Sequence, residues 1–219
     1  MLFLWIILYG LLFCLAELPL AQWVSPACMV IFSAALVLWC CAGQRRHRLG
    51  LTAPVPAGRD CGWHVLILLS LPLWQACVIR VFAVDEIVPI LTAVVAEELL
   101  FRGFLPECLC RPSRLSGVVG SAVLFAALHS VNFLAGGDPV YVTVQILTAL
   151  VAGIYWGLIR LRFQSLLPCM MAHLLVNLTG TAPEAAVLPH LLPGLCVCCL
   201  LMAGGSIALY KRISDGGAS

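Results

Sequence analysis

Ala96-Glu97-Glu98-Leu99-Leu100-Phe101-Arg102 sets two acids and a base inside a run that carries no other charge from Ile87 to Leu105. Phe125-Ala126-Ala127-Leu128-His129 and His173-Leu174-Leu175-Val176-Asn177 are two further polar islands in apolar surroundings. An ionisable group at a bilayer centre costs about 2.5 to 3.5 kcal/mol on insertion scales, so membrane segments rarely keep one without a use. Three islands on three hydrophobic segments can converge only if those segments pack together. The pattern predicts a polytopic membrane protein with a buried catalytic or ion-handling centre.

Composition points the same way. Of the 219 residues, 63% are hydrophobic and only 10% charged, whereas a soluble domain is roughly half apolar. The net charge of +2 gives no footprint for nucleic acid. Nine of the twelve cysteines (Cys14, Cys28, Cys40, Cys41, Cys77, Cys169, Cys196, Cys198, Cys199) fall in apolar runs, where a thiol acts as a small hydrophobe. Cys108 and Cys110 form a C-x-C with no second Cys/His pair at zinc-site spacing, so no metal or redox role is expected of them. Residues 1–16 lack the basic start of a signal peptide and read as a first membrane helix.

A spanning helix needs about 20 apolar residues. On that criterion the chain is all-α, a bundle of about eight transmembrane helices at 2–16, 24–42, 63–82, 87–105, 116–134, 140–159, 165–180 and 188–210. No soluble domain fits between them, and residues 1–219 form a single integral membrane domain. Loop charges alternate. Arg45, Arg46, Arg48, Arg59, then Arg111 and Arg114, then Arg160 and Arg162, then Lys211 and Arg212 mark one side; Glu17, Asp85, Glu86, Asp138 and Glu184 mark the other, with only Arg80 at its border. Because cytoplasmic loops are rich in Lys and Arg, both termini are expected in the cytoplasm.

Within the islands, helical spacing separates the roles. Glu98 and Arg102 are four residues apart with the acid first, the favoured order for a local ion pair. Glu97 is turned about 100° away and is the freer carboxylate, placed to act as general base or acid. Phe125 and His129 share one helix face, as do His173 and Asn177. Each island alone also suits plain helix packing: a buried charge cluster, or interhelical hydrogen bonds. Together they supply a base, a partner for it, and two donors able to hold an oxyanion.

Glu97-Glu98-x-x-x-Arg102, Phe125-x-x-x-His129 and His173-x-x-x-Asn177, in this order, resemble the three signature motifs of the CAAX protease and bacteriocin-processing family, also called Abi. Phe101-Arg102-Gly103 adds to the likeness, which spans residues 91–180. The resemblance implies an intramembrane endopeptidase whose catalytic core is 87–180. It implies that Glu97 activates water, that His129 assists it, and that His173 and Asn177 stabilise the oxyanion. Glu98, Arg102 and Phe125 would support them.

No cofactor is expected on this reading, and the partners are a membrane-anchored protein or peptide substrate and the lipid bilayer. The substrate class implied is a CAAX-type terminus or a C-terminal sorting tail, and the expected location is a bacterial inner membrane. Three alternatives stand beside it. Glu97, His129 and His173 could instead form a His2Glu zinc set with water in the fourth position. The chain could be a non-enzymatic immunity or scaffold protein. The buried acids and histidines could also line a proton or ion path.

Overall fold

A computed structural model describes residues 8–9, 11, 24–42, 45–55, 61–79, 87–110, 113–180 and 187–216. Among them no strand occurs, and the chain is a helix bundle. In order these are α1 (Val24–Cys41), the short α2 (Arg45–Arg48), α3 (Cys61–Ile79), α4 (Ile87–Glu98), a π-helical segment (Leu99–Phe104) running into α5 (Leu105–Leu109), α6 (Arg114–Leu128), the short α7 (Val131–Leu134), α8 (Pro139–Phe163), α9 (Leu167–Gly180) and α10 (Leu188–Gly216). Four stretches are long and apolar enough to cross a membrane: Gly62–Ile79, Arg114–Leu134, Pro139–Phe163 and Leu188–Ser214. The chain is an integral membrane protein.

The expected first helix lies largely outside the described residues; of its span, residues 8–9 and 11 are helical. Elsewhere local chemistry explains where the boundaries fall. Ser113 caps α6 by accepting from Ser116 N, and Ser116 returns a bond to the Ser113 backbone, a reciprocal capping box. Asp138 caps α8, accepting from Tyr141 N at 2.9 Å, with Pro139 preset at the first turn. Gln164 ends α8 in the left-handed region at φ 52°, the only non-glycine among the described residues with positive φ. Pro168 falls in the first turn of α9, where its missing N–H has no helical partner to lose.

Two expected helices are not simple α-helices. The fourth relaxes into the π segment at Leu99–Phe104, and the fifth is broken by a turn at His129 and Ser130 before α7. Both departures fall beside the polar islands, where π-turns and irregular backbone tend to gather because they re-aim side chains.

The bundle packs α6 and α10 against α8, α9 and α10 against α3, and α1 and α9 against α4. Leu134 is 86% exposed and Leu200 73% exposed, and many other large apolar side chains point outward. Such a surface suits lipid rather than water. Inside are two apolar clusters, one around Leu71, Tyr155, Trp156, Ile159 and Leu195, the other around Tyr9, Leu36, Leu99, Leu100 and Phe125. The polar islands meet where these clusters face each other, with Trp156 contributed by one and Phe125 by the other. Small residues let the backbones approach here: a Cβ on Gly153 of α8 would lie 3.0 Å from Ala122 Cβ of α6 and 3.7 Å from Arg102 Nη2.

Candidate active site

Glu98, the last residue of α4, is fully buried, and Arg102 one turn later is 3% exposed. Their charges lie 3.1 Å apart, from Arg102 Nη1 to Glu98 Oε1. This contact is ionic rather than an aligned hydrogen bond, because both Arg102 Nη atoms and Glu98 Oε2 lack a hydrogen-bond partner among the described residues. Aromatic faces take up part of the guanidinium's charge instead. Its Cζ stands 4.0 Å from the Phe125 ring centroid and 5.3 Å from that of Trp156.

Glu98 does a second job that helical spacing within α4 does not reveal. Its Oε1 lies 2.8 Å from His173 Nδ1 on α9, fixing that ring through one nitrogen. Because a carboxylate only accepts, Nδ1 carries the proton and the ring presents Nε2 on its other side. Nε2 is 3.4 Å from Glu97 Oε2. The ring is further confined by Trp156 at 5.1 Å and edge-on by Phe125 at 5.7 Å.

Glu97 itself is held by a residue from the N-terminal stretch. The buried Tyr9 donates its hydroxyl to Glu97 Oε1. Among the described residues Tyr9 thus pairs with Oε1 of Glu97 and His173 with Oε2. His129, where α6 ends, donates from Nδ1 to Phe125 O at 3.0 Å, so Nε2 is the ring nitrogen left free of that bond. Phe125 therefore orients His129 through its carbonyl and covers Arg102 with its ring.

Glu97, His129, His173 and Asn177 all line one cavity of about 540 Å³. Phe125 and Trp156 form part of its wall, whereas Glu98 and Arg102 stand behind it and do not reach it. Its volume is that of an ordinary ligand pocket. Apolar side chains such as Leu71, Ile90 and Val176 share the lining with the amides of Gln75, Asn132 and Gln145. Asn132 donates to Gln145 Oε1 at 2.8 Å and Thr179 donates to Gln75 Oε1 at 3.2 Å, so these amides are braced.

Among the described residues no three His, Cys, Asp or Glu side chains are grouped so as to hold a metal ion. Glu97 and His173 face each other directly instead.

Sequence spacing brought forward every polar residue of the three islands. It missed Tyr9 and Trp156. Tyr9 carried one faint signal, as the only hydroxyl in the apolar stretch 2–16. Trp156 carried none, since a Trp in an apolar helix is ordinary.

A helix bundle for the membrane, with carboxylates, histidines and an amide gathered around an internal chamber, belongs to the class of integral membrane proteins with an intramembrane polar site. The profile of the family described as Type II CAAX prenyl endopeptidase Rce1-like matches residues 65–179, just over half of the chain, and the protein belongs to that family. It is a protease family. The match starts well before the motif-bearing segment and takes in most of α3, where the motifs alone offered no diagnostic feature. No curated protein and no solved structure matched the chain.

Proposed function

We propose that the protein is an intramembrane endopeptidase that hydrolyses a peptide bond near the terminus of a membrane-associated protein, a CAAX-type end or a C-terminal sorting tail. The observation that carries this reading is the shared chamber: Glu97, His129, His173 and Asn177 line one cavity. Glu97 takes a proton from a water in that chamber, with His129 Nε2 as the second acceptor, and the hydroxide adds to the scissile carbonyl carbon. The carbonyl oxygen becomes an oxyanion. His173 Nε2 and the Asn177 carboxamide donate to it. When the C–N bond breaks, the proton held by Glu97 or His129 passes to the leaving amine, giving a free carboxylate and a free amino terminus.

Donation from His173 Nε2 requires a proton on each ring nitrogen. The charges around it suit that cation, because two carboxylates, Glu97 and Glu98, face a single guanidinium, Arg102. A cationic His173 brings the cluster to neutrality, and buried charges persist best when paired. Glu98 is then the anchor that keeps His173 aimed at the chamber, much as a buried acid orients the histidine of a hydrolytic triad.

Asn177→Ala tests the oxyanion assignment. Loss of one such donor typically lowers kcat by about 100- to 1000-fold, and the variant is expected to do so with KM little changed. A change in KM alone would move Asn177 from transition-state stabilisation to substrate binding. The protein purified without added metal is expected to remain active in the presence of a strong chelator; inactivation by chelator, reversed by stoichiometric zinc, would favour the metalloprotease instead. The setting we propose is a bacterial inner membrane, and the loop charges favour both termini in the cytoplasm.

A further inference from the structure

The chamber reaches from Phe125, Trp156 and His173 inside the bundle to one of its ends. Its walls are built near the helix ends at residues 79, 87, 139, 180 and 188, with Gln75 of α3, Ile90 of α4, Tyr141 of α8, Gly180 of α9 and Leu191 of α10 among them. Gly137, in the loop between α7 and α8, lies on its rim.

The other end of the bundle is closed by packed chain. Leu166 N donates to Gly50 O at 2.8 Å, Val55 N to Phe163 O at 2.9 Å, and Ser165 Oγ to Thr52 O at 2.6 Å. Arg160 ties this loop down through Arg48 O at 2.6 Å and Leu49 O at 3.3 Å. Leu49, Leu100 and Leu166 are buried in one apolar cluster. Access through this end would require breaking both the apolar plug and its hydrogen bonds.

The basic residues sort by the same two ends. Among the described residues Arg45, Arg46, Arg48, Arg114, Arg160, Arg162, Lys211 and Arg212 belong to the segments at the plugged end, Arg102 is inside, and the charged residue at the end that holds the chamber is an acid, Asp138. Lys and Arg are retained on the cytoplasmic side of short loops, so the plugged end is the cytoplasmic one.

We infer that the chamber opens to the non-cytoplasmic side, and that what enters it is a membrane-anchored segment presented from the outer face. In the order of events a translocation step must come first: the substrate reaches this site only after its cleavable end has crossed the bilayer. That a substrate is cut there rests on the hydrolase reading; the direction of the opening does not.

The test uses the full-length protein in right-side-out and inverted membrane vesicles, with a membrane-impermeant maleimide and mass spectrometry of the labelled peptides. Ala135→Cys, on the exposed stretch beside the chamber rim, reports one end; the native Cys108 and Cys110, both exposed, report the other. Ala135→Cys is expected to label roughly tenfold more in right-side-out vesicles, and Cys108 and Cys110 roughly tenfold more in inverted ones. The reverse bias, or equal labelling from both sides, overturns the inference. If Ala135→Cys disturbs the fold, the native pair in the wild-type chain still decides the orientation.

An impermeant quenched-fluorescent peptide with a CAAX-type end, added to wild-type vesicles, gives the second readout. Cleavage is expected to be roughly tenfold faster with right-side-out vesicles, a difference that detergent removes. Faster cleavage by inverted vesicles overturns the inference. The expected labelling together with no cleavage of that peptide even in detergent would leave the inference standing and count against the hydrolase reading alone.

Discussion

Glu97→Gln is expected to lower kcat by about 100- to 10,000-fold, the range for loss of a general base, while the protein still inserts, folds and binds substrate. Glutamine keeps the length of the side chain and a carbonyl oxygen that can accept from Tyr9, so the packing around α4 is preserved. What it loses is the capacity to take a proton. Steady-state rates and thermal unfolding of the purified variant in detergent separate the two effects. Retained activity would remove Glu97 from the chemistry and return the acids of α4 to a packing role. If Glu97 and His129 share one proton-transfer step, Glu97→Gln combined with His129→Ala should be scarcely slower than the worse single variant, because residues acting as a unit are non-additive.

The second large effect is on stability. Arg102→Ala leaves Glu98 buried without its guanidinium, with the His173 ring as its remaining partner. Removing one partner of a buried ion pair typically costs about 3 to 5 kcal/mol, chiefly because the other charge stays desolvated. Arg102 also fills the space between Phe125 and Trp156, so its loss opens a gap at the junction of the two apolar clusters. The unfolding temperature in detergent should therefore fall clearly for Arg102→Ala, and much less for Glu98→Gln combined with Arg102→Met, which deletes both charges at similar volume. Equal destabilisation by both variants would mean that packing, not the uncompensated charge, sets the cost. The double variant should nonetheless be slow, since a neutral amide at 98 is a poorer anchor for His173 Nδ1.

Much of this was legible in the sequence because the signals are local. Apolar runs bounded by proline, glycine and charge located the helices, since in a bilayer nearly every backbone polar group must be satisfied within its own segment. Spacing of four residues correctly paired Glu98 with Arg102 and put Phe125 and His129 on one face, as their ring contact at 4.9 Å reflects. It did not foresee the π segment after Glu98 or the break after Leu128, because both depend on how α4 and α6 fit their neighbours.

The chain by itself determined a membrane helix bundle, the family, and which ionisable residues sit in apolar surroundings; hydropathy and helical period act over a few residues and need no knowledge of the fold. Tertiary structure alone decided the partners. Tyr9 reaches Glu97 across 88 positions and Glu98 reaches His173 across 75. Only packing of separate helices could also put the chamber at one end of the bundle and the plug at the other. A hydrogen bond between distant segments depends on the three-dimensional placement of both backbones, which no local pattern encodes.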